Sequence, residues 1–310
     1  MVTVAGKPNA GKSTLLNRLV GQRLAITSPK PQSTRHRVVG MRTEDDTQMV
    51  ILDTPGLLDP KDLLHEAMRG AALAAVRDAD VIVYVVDVST IPGEALQQFL
   101  DAPSPDTVPW PPFTSAATLE RAPRAPVLTV LNKLDLLEET TADLLRRVIA
   151  DAGLPVVTMV ARTGQQLDTL ISAITARLPE SPYLYPADDI STLPVRFFCA
   201  EFIRETAMDQ LGDELPHALA CSIEEFREGS SPLYIRAVLY VERDSQKRIV
   251  IGAGGKQIKK LGQVSRAKIE QFVGEPVYLD LWVKVLPNWR KKRSAVSHLG
   301  YGDPGTSSRA

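Results

Sequence analysis

The chain has 310 residues, 44% of them hydrophobic, and a formal net charge of −1. That length suggests two domains, the composition supports a packed core and excludes a disordered chain, and the near-zero charge leaves a polyanionic partner open because opposed patches cancel in the sum. Two cysteines, Cys199 and Cys221, cannot build a disulfide framework, and no signal-like N-terminus or membrane-length apolar run is seen, so the chain reads as a reduced, cytoplasmic protein.

The first β-prone run, Val2–Ala5, leads directly into Gly6-Lys7-Pro8-Asn9-Ala10-Gly11-Lys12-Ser13 and a helix-like stretch, Lys12–Val20, with Leu15, Leu16 and Leu19 at helical spacing. Strand, G-x-x-x-x-G-K-[ST] and helix in that order form a phosphate-binding loop. The glycines let backbone N–H groups converge on phosphate oxygens, and the helix N-terminus adds a favourable dipole. Residues Gly6 to Thr14 are therefore the candidate phosphate site, with Lys12 reaching the outer phosphates and the Ser13 hydroxyl on Mg²⁺.

Val38–Arg42 and Met49–Leu52, joined through Glu44-Asp45-Asp46, read as a hairpin that makes one edge strand antiparallel. Asp53-Thr54-Pro55-Gly56 closes the third strand. Asp53 is placed to hold the magnesium shell, and the Gly56 N–H to sense the γ-phosphate. A helix over Leu63–Val76, a strand over Val81–Val86 bounded by aspartates, and a proline-rich insertion at 102–126 follow. After the strand Val127–Leu131 comes Asn132-Lys133-Leu134-Asp135. A carboxylate at Asp135 can accept bonds from N1–H and the 2-amino group of guanine, a donor pair that adenine lacks, so the nucleotide is GTP or GDP rather than ATP. Helices over Ala142–Ala150 and Leu167–Leu178 and a strand over Val156–Val160 complete an α/β pattern. It predicts a mostly parallel sheet with helices on both faces and ligands beyond the carboxyl ends of the strands.

Prolines 179, 182, 186 and 194 mark a linker, giving a first domain over 1–180, a linker over 181–195, a second domain over 196–301 and a polar tail over 302–310 read as disordered. The second domain is predicted to run helix (Phe197–Leu211), two strands (Ala218–Phe226, Leu233–Val241), helices flanking Gly252-Ala253-Gly254-Gly255, and a strand (Val277–Val285). Two close glycines let a nucleic-acid backbone approach the main chain. Arg248, Lys256, Lys259 and Lys260, with Arg243, Lys247, Arg266 and Lys268, form a local basic cluster around that loop.

These motifs, in this order, resemble the translation-factor-related GTPases. The stretch Ile26–Arg37 together with Pro8-Asn9 resembles the Era family of ribosome-assembly GTPases. So do Asp213–His217, Tyr240–Arg243, Gly252–Gly255, Leu281–Val285 and the ending Trp289…Leu299-Gly300-Tyr301. The resemblance implies a P-loop G domain followed by a type II KH domain. It implies that residues 26–37 are switch I, that Thr34 (with Ser33 as runner-up) is a second hydroxyl on Mg²⁺, and that Lys12, Thr34 and Gly56 serve the chemical step. It places the Ala161 N–H on the guanine oxygen, in Val160-Ala161-Arg162-Thr163-Gly164, where the family's usual serine is missing. Leu57, where other GTPases carry a water-orienting glutamine, implies slow hydrolysis. Asn9 is a candidate ligand for a monovalent cation such as K⁺, or else only shapes the loop. Implied partners are the 3′ end of 16S rRNA and the 30S subunit, bound by a monomer in the cytoplasm, with weak peripheral contact at the inner face of the cell membrane left open. Trp289 could stack on a base or anchor the last helix. An RNA-binding assembly factor that holds GTP as a structural ligand is the alternative function.

Overall fold

The computed structural model describes residues 1–30, 32–56, 60–100, 125–152, 155–212 and 215–301. Leu57, Asp213, Glu214, the tail 302–310 and nearly all of the proline-rich insertion expected at 102–126 lie outside these residues. The chain divides into two compact units. The first comprises Met1–Ala25, His36–Leu58 and Ala71–Ser191, and the second Ile26–Arg35, Asp59–Gly70 and Thr192–Ala310.

The first unit is built on a six-stranded sheet, ordered β2-β3-β1-β4-β5-β6. Its strands are β1 (Val2–Gly6), β2 (Val38–Glu44), β3 (Thr47–Asp53), β4 (Val81–Asp87), β5 (Val127–Asn132) and β6 (Val156–Thr158). Only β2 pairs antiparallel, as the hairpin predicts; every other pairing is parallel. Strand β4 is buried at every position, which is why it reads as one unbroken apolar run rather than an alternating one. Helices α1 (Lys12–Val20), α3 (Gly93–Leu100), α4 (Glu139–Ala152) and α5 (Leu167–Thr175) belong to this unit, as does α2 (Leu63–Arg77) from Ala71 onward, its residues up to Gly70 being counted with the second unit. Helix α3 is not evident from the sequence, because Pro92, Gly93 and the neighbouring prolines read as loop. Residues 183–191 run along β2. Met41 N–H donates to Ile190 O at 2.9 Å, and the Gln48 side chain accepts from the Leu184 and Tyr185 N–H groups at 2.8 and 3.0 Å. The Met41 bond occupies one backbone position on the otherwise open edge of β2, and the Gln48 bonds tie the same segment to β3.

The second unit carries a three-stranded sheet, β7 (Ala220–Arg227), β8 (Leu233–Val241) and β9 (Val277–Val285). Strands β7 and β8 are antiparallel with an irregularity between Ile223 and Glu225, and β8 and β9 are parallel over nine residue pairs. A parallel pair needs a crossover, and helices α8 (Asp244–Ile251) and α9 (Lys256–Val273) provide it. Helix α6 (Val195–Gln210) packs on β7 and α9 through Phe198 and Phe202, whose rings lie 5.3 and 5.2 Å from Phe272. The short helices α7 (Leu215–Ala218) and α10 (Arg293–His298) complete it.

Trp289 is fully buried, donates its indole N–H to Ala218 O at 2.8 Å and stacks on Tyr301 at 5.7 Å. Leu64, Met68, Val296 and Leu299 surround it in the same cluster. Of the two roles open to Trp289 in the sequence, the structure takes core anchor. Trp289→Ala is expected to lower the stability of the second unit by about 3–5 kcal/mol, and Trp289→Phe by clearly less because much of the ring volume stays. Urea unfolding followed by circular dichroism checks the order of the two variants.

Candidate functional site

Within the first unit, the carboxyl ends of β1, β3, β4 and β5 bring the phosphate loop, Asp53, Asp87 and Asn132 to the same end of the sheet. The loop is held by close backbone approaches that leave no room for side chains. Gly6 has φ 142°, and a Cβ there would sit 2.3 Å from Val85 O. Gly11 has φ 101°, and a Cβ would lie 2.1 Å from the Asn132 side-chain nitrogen. Asn9 also has positive φ, at 62°, a conformation asparagine tolerates better than most residues; this fits a loop-shaping role.

Lys12 is 5% exposed, and its Nζ donates to Lys7 O at 2.8 Å, closing the loop on itself. Burial pulls its pKa down to about 8, with the Asp53 carboxylate working in the opposite direction. Ser13, at the start of α1, donates its hydroxyl to Asp53 Oδ2 at 2.6 Å. A hydroxyl and a carboxylate side by side are the hard oxygen donors Mg²⁺ takes from a protein that leaves the rest of its shell to water and phosphate. Thr14 follows half-buried on α1. Gly56 lies against Pro8, where a Cβ would come within 2.8 Å of the Pro8 nitrogen, so this glycine and the phosphate loop share a surface.

The base-side motif is tied to the phosphate loop through one side chain. Asn132 is buried; its Nδ2 donates to Ala10 O at 2.8 Å and its Oδ1 accepts from the Ala161 N–H at 2.9 Å. The Ala161 amide, expected on a guanine oxygen, is thus committed to Asn132. Lys133 adopts φ 64°, and its Nζ donates to Asp87 Oδ2 at 2.6 Å. Asp135 is partly exposed and pairs with Arg162 at 3.2 Å, a solvent-facing contact that contributes little energy. Sequence reading missed Asp87. The signal was available, since an acid closing a buried parallel strand stands where ligands of such sheets collect.

Other expected residues belong to the second unit. Thr34 is buried there, beside the equally buried Arg35. The four residues Gly252–Gly255 link α8 to α9, with Gly252, Gly254 and Gly255 all at positive φ. At Gly252 a Cβ would meet Gln257 Cβ at 2.6 Å, whereas Gly254 and Gly255 face open space. Arg248, Lys256, Lys259 and Lys260 are exposed around this loop. Lys268 is turned inward instead, onto Glu205 at 2.9 Å and Asp209 at 3.6 Å.

Residues 1–133 match the family described as 50S ribosome-binding GTPase, and residues 214–290 match the KH domain family. The chain is 41% identical to the GTPase Era of Ectopseudomonas mendocina, over 97% of this chain and 96% of that protein. It is 38% identical to the GTPase Era of Halothermothrix orenii, over 97% of each. Two solved structures superpose with a TM-score of 0.83 at 34% identity, each covering 97% of this chain and 98% of the other. One is a point variant of Aquifex aeolicus Era bound to GDP·AlF₄⁻, and the other is Era with MgGDPNP and nucleotides 1506–1542 of 16S ribosomal RNA.

Proposed function

The chain belongs to the Era family of GTPases, and from that premise we propose that it binds GTP with Mg²⁺, hydrolyses it slowly to GDP, and links its nucleotide state to binding of the 3′ end of 16S rRNA during assembly of the 30S subunit in the cytoplasm. The observation that carries this reading is the double hydrogen bond of Asn132, which joins the phosphate loop at Ala10 to the base loop at Ala161. Such a frame suits a ligand with a phosphate end and a base end. Relatives bound to GDP·AlF₄⁻ and to MgGDPNP support the guanine nucleotide and the metal.

In this reading Lys12 and the backbone of Gly6–Ser13 hold the phosphates, Ser13 and Asp53 hold Mg²⁺, Thr34 supplies a second hydroxyl, and Asp135 reads the guanine edge. Held there, Mg²⁺ would supply neutralisation of phosphate charge. The Gly56 N–H senses the γ-phosphate. Leu57 offers no donor or acceptor for the attacking water, which supports slow intrinsic turnover. Asn9 supplies an oxygen to K⁺ or shapes the loop, and hydrolysis in K⁺ against Na⁺ separates the two. The exposed Arg248, Lys256, Lys259 and Lys260 steer an RNA backbone toward Gly252–Gly255, where the open space at Gly254 and Gly255 admits it.

Single-turnover GTP hydrolysis with and without an RNA carrying the 16S 3′ end tests the function. An RNA-dependent change in rate or in nucleotide affinity is expected. No change in either favours a factor that holds GTP as a structural ligand. The Lys12 pKa gives a second prediction. Phosphate favours protonated Lys12, so binding above about pH 8 must take up a proton, and GTP affinity should weaken there by up to about tenfold per pH unit. A binding series from pH 6.5 to 9.5 checks it; a flat profile across pH 8 would contradict the assigned role.

A further inference from the structure

Residues 26–35 precede β2 in sequence yet fold with the second unit, where Thr27, Lys30, Ser33 and Arg35 are each hydrogen-bonded to it. Arg35 is 3% exposed, and its guanidinium donates to three carbonyls, Leu219 O at 2.6 Å, Pro216 O at 2.8 Å and His217 O at 3.2 Å. Its guanidinium carbon also lies 6.0 Å from the centre of the Tyr301 ring. Arg204, wholly buried on α6, forms a two-pronged pair with Glu201 at 2.8 and 2.6 Å and donates as well to Ser33 O. Burial opposes the Arg204 charge, and the Glu201 carboxylate more than offsets it, so its pKa is raised. Farther along the segment, Lys30 Nζ donates to Leu211 O at 2.6 Å, and Thr27 N–H to Glu205 Oε1 at 3.3 Å.

Glu201, Arg204 and Glu205 stand at i, i+3 and i+4, which puts them on one face of α6. A guanidinium is suited to this work because its planar fork serves several acceptors at once and stays charged when buried. The contacts at Ser33 and Arg35 bracket Thr34. Thr34 therefore cannot leave its place unless a buried arginine loses its carbonyl partners or the Ser33 carbonyl loses its donor.

We propose that Arg35 and Arg204 are positioning residues that latch the Thr34 segment into the second unit, so that the nucleotide state and the RNA affinity of that unit bias one another. The inference rests on the function proposed above, in which Thr34 answers to Mg²⁺ and the γ-phosphate. A ligand shifts a conformational equilibrium only through differential affinity, and the coupling is reciprocal. The segment that holds Thr34 through Arg35 and Arg204 is where that difference is expressed.

The test uses the full chain loaded with GDP or with a non-hydrolysable GTP analogue, and an RNA oligonucleotide carrying the 16S 3′ end. The readout is the ratio of the two RNA dissociation constants, which a uniform loss of RNA affinity leaves unchanged. A wild-type ratio of about fivefold or more is expected, falling toward one in Arg35→Met and Arg204→Met and to an intermediate value in Lys30→Met. Should an arginine variant not fold, as judged by circular dichroism, Lys30→Met carries the test on its own. A wild-type ratio that persists unchanged in every folded variant overturns the latch and leaves coupling standing. A wild-type ratio of one contradicts the coupling itself, and the latch with it.

Discussion

The first unit depends on a buried amide that serves two loops at once. Asn132 sits at the end of β5, where the sheet register sets it beside Asp87 of β4, and its two side-chain atoms reach Ala10 on one side and Ala161 on the other. Both bonds are buried, so leaving either unmade would cost about 1–3 kcal/mol, an appreciable share of a domain's net stability. The close approach at Gly11 follows from the same contact, because any side chain there would collide with the Asn132 nitrogen. Phosphate loop and base loop are thus spaced by a strand of the sheet rather than by the ligand.

Around that frame the charged groups are held by partners within the chain. Lys12 is buried against a backbone carbonyl, and Ser13 is already hydrogen-bonded to Asp53. The energetic cost of burying the ammonium shows in its lowered pKa, and a phosphate is the partner that would relieve it. In the second unit the lysines and arginines are sorted in a comparable way. Lys268 and Arg290 are paired to acids within the unit, whereas Arg248, Lys256, Lys259 and Lys260 stay exposed beside the glycine loop. The net charge of the chain hides this division, because acids elsewhere in the sequence offset the exposed cations in the sum.

Local signals were legible in the sequence to the extent that one stretch of chain decides them. The apolar run of β4, the helical leucines of α1 and the full extents of β8 and β9 could be read directly, as could the three motifs at the strand ends. The role of Trp289 could not, since burial against Leu64, Val296 and Tyr301 depends on segments far apart in the chain. The same holds for the partner of Lys133, which Asp87 supplies from a neighbouring strand, and for the Ala161 N–H, which the family resemblance assigns to the guanine oxygen and which in the fold donates to Asn132. That residues 26–35 fold with the second unit is likewise a tertiary fact. Their sequence shows a polar, basic loop, and only the carbonyls of Pro216, His217 and Leu219 explain why Arg35 is buried.

Equilibrium GDP binding by Asn132→Asp and Asn132→Ala measures most directly whether Asn132 holds the two loops for the nucleotide. Asn132→Asp keeps the acceptor for Ala161 but sets a carboxylate oxygen against Ala10 O, while Asn132→Ala removes both bonds. Each is expected to weaken GDP binding by about ten- to a hundredfold or more, in line with one or two buried hydrogen bonds lost, with the fold retained by circular dichroism. GDP affinities within about twofold of the wild type in both variants would contradict it.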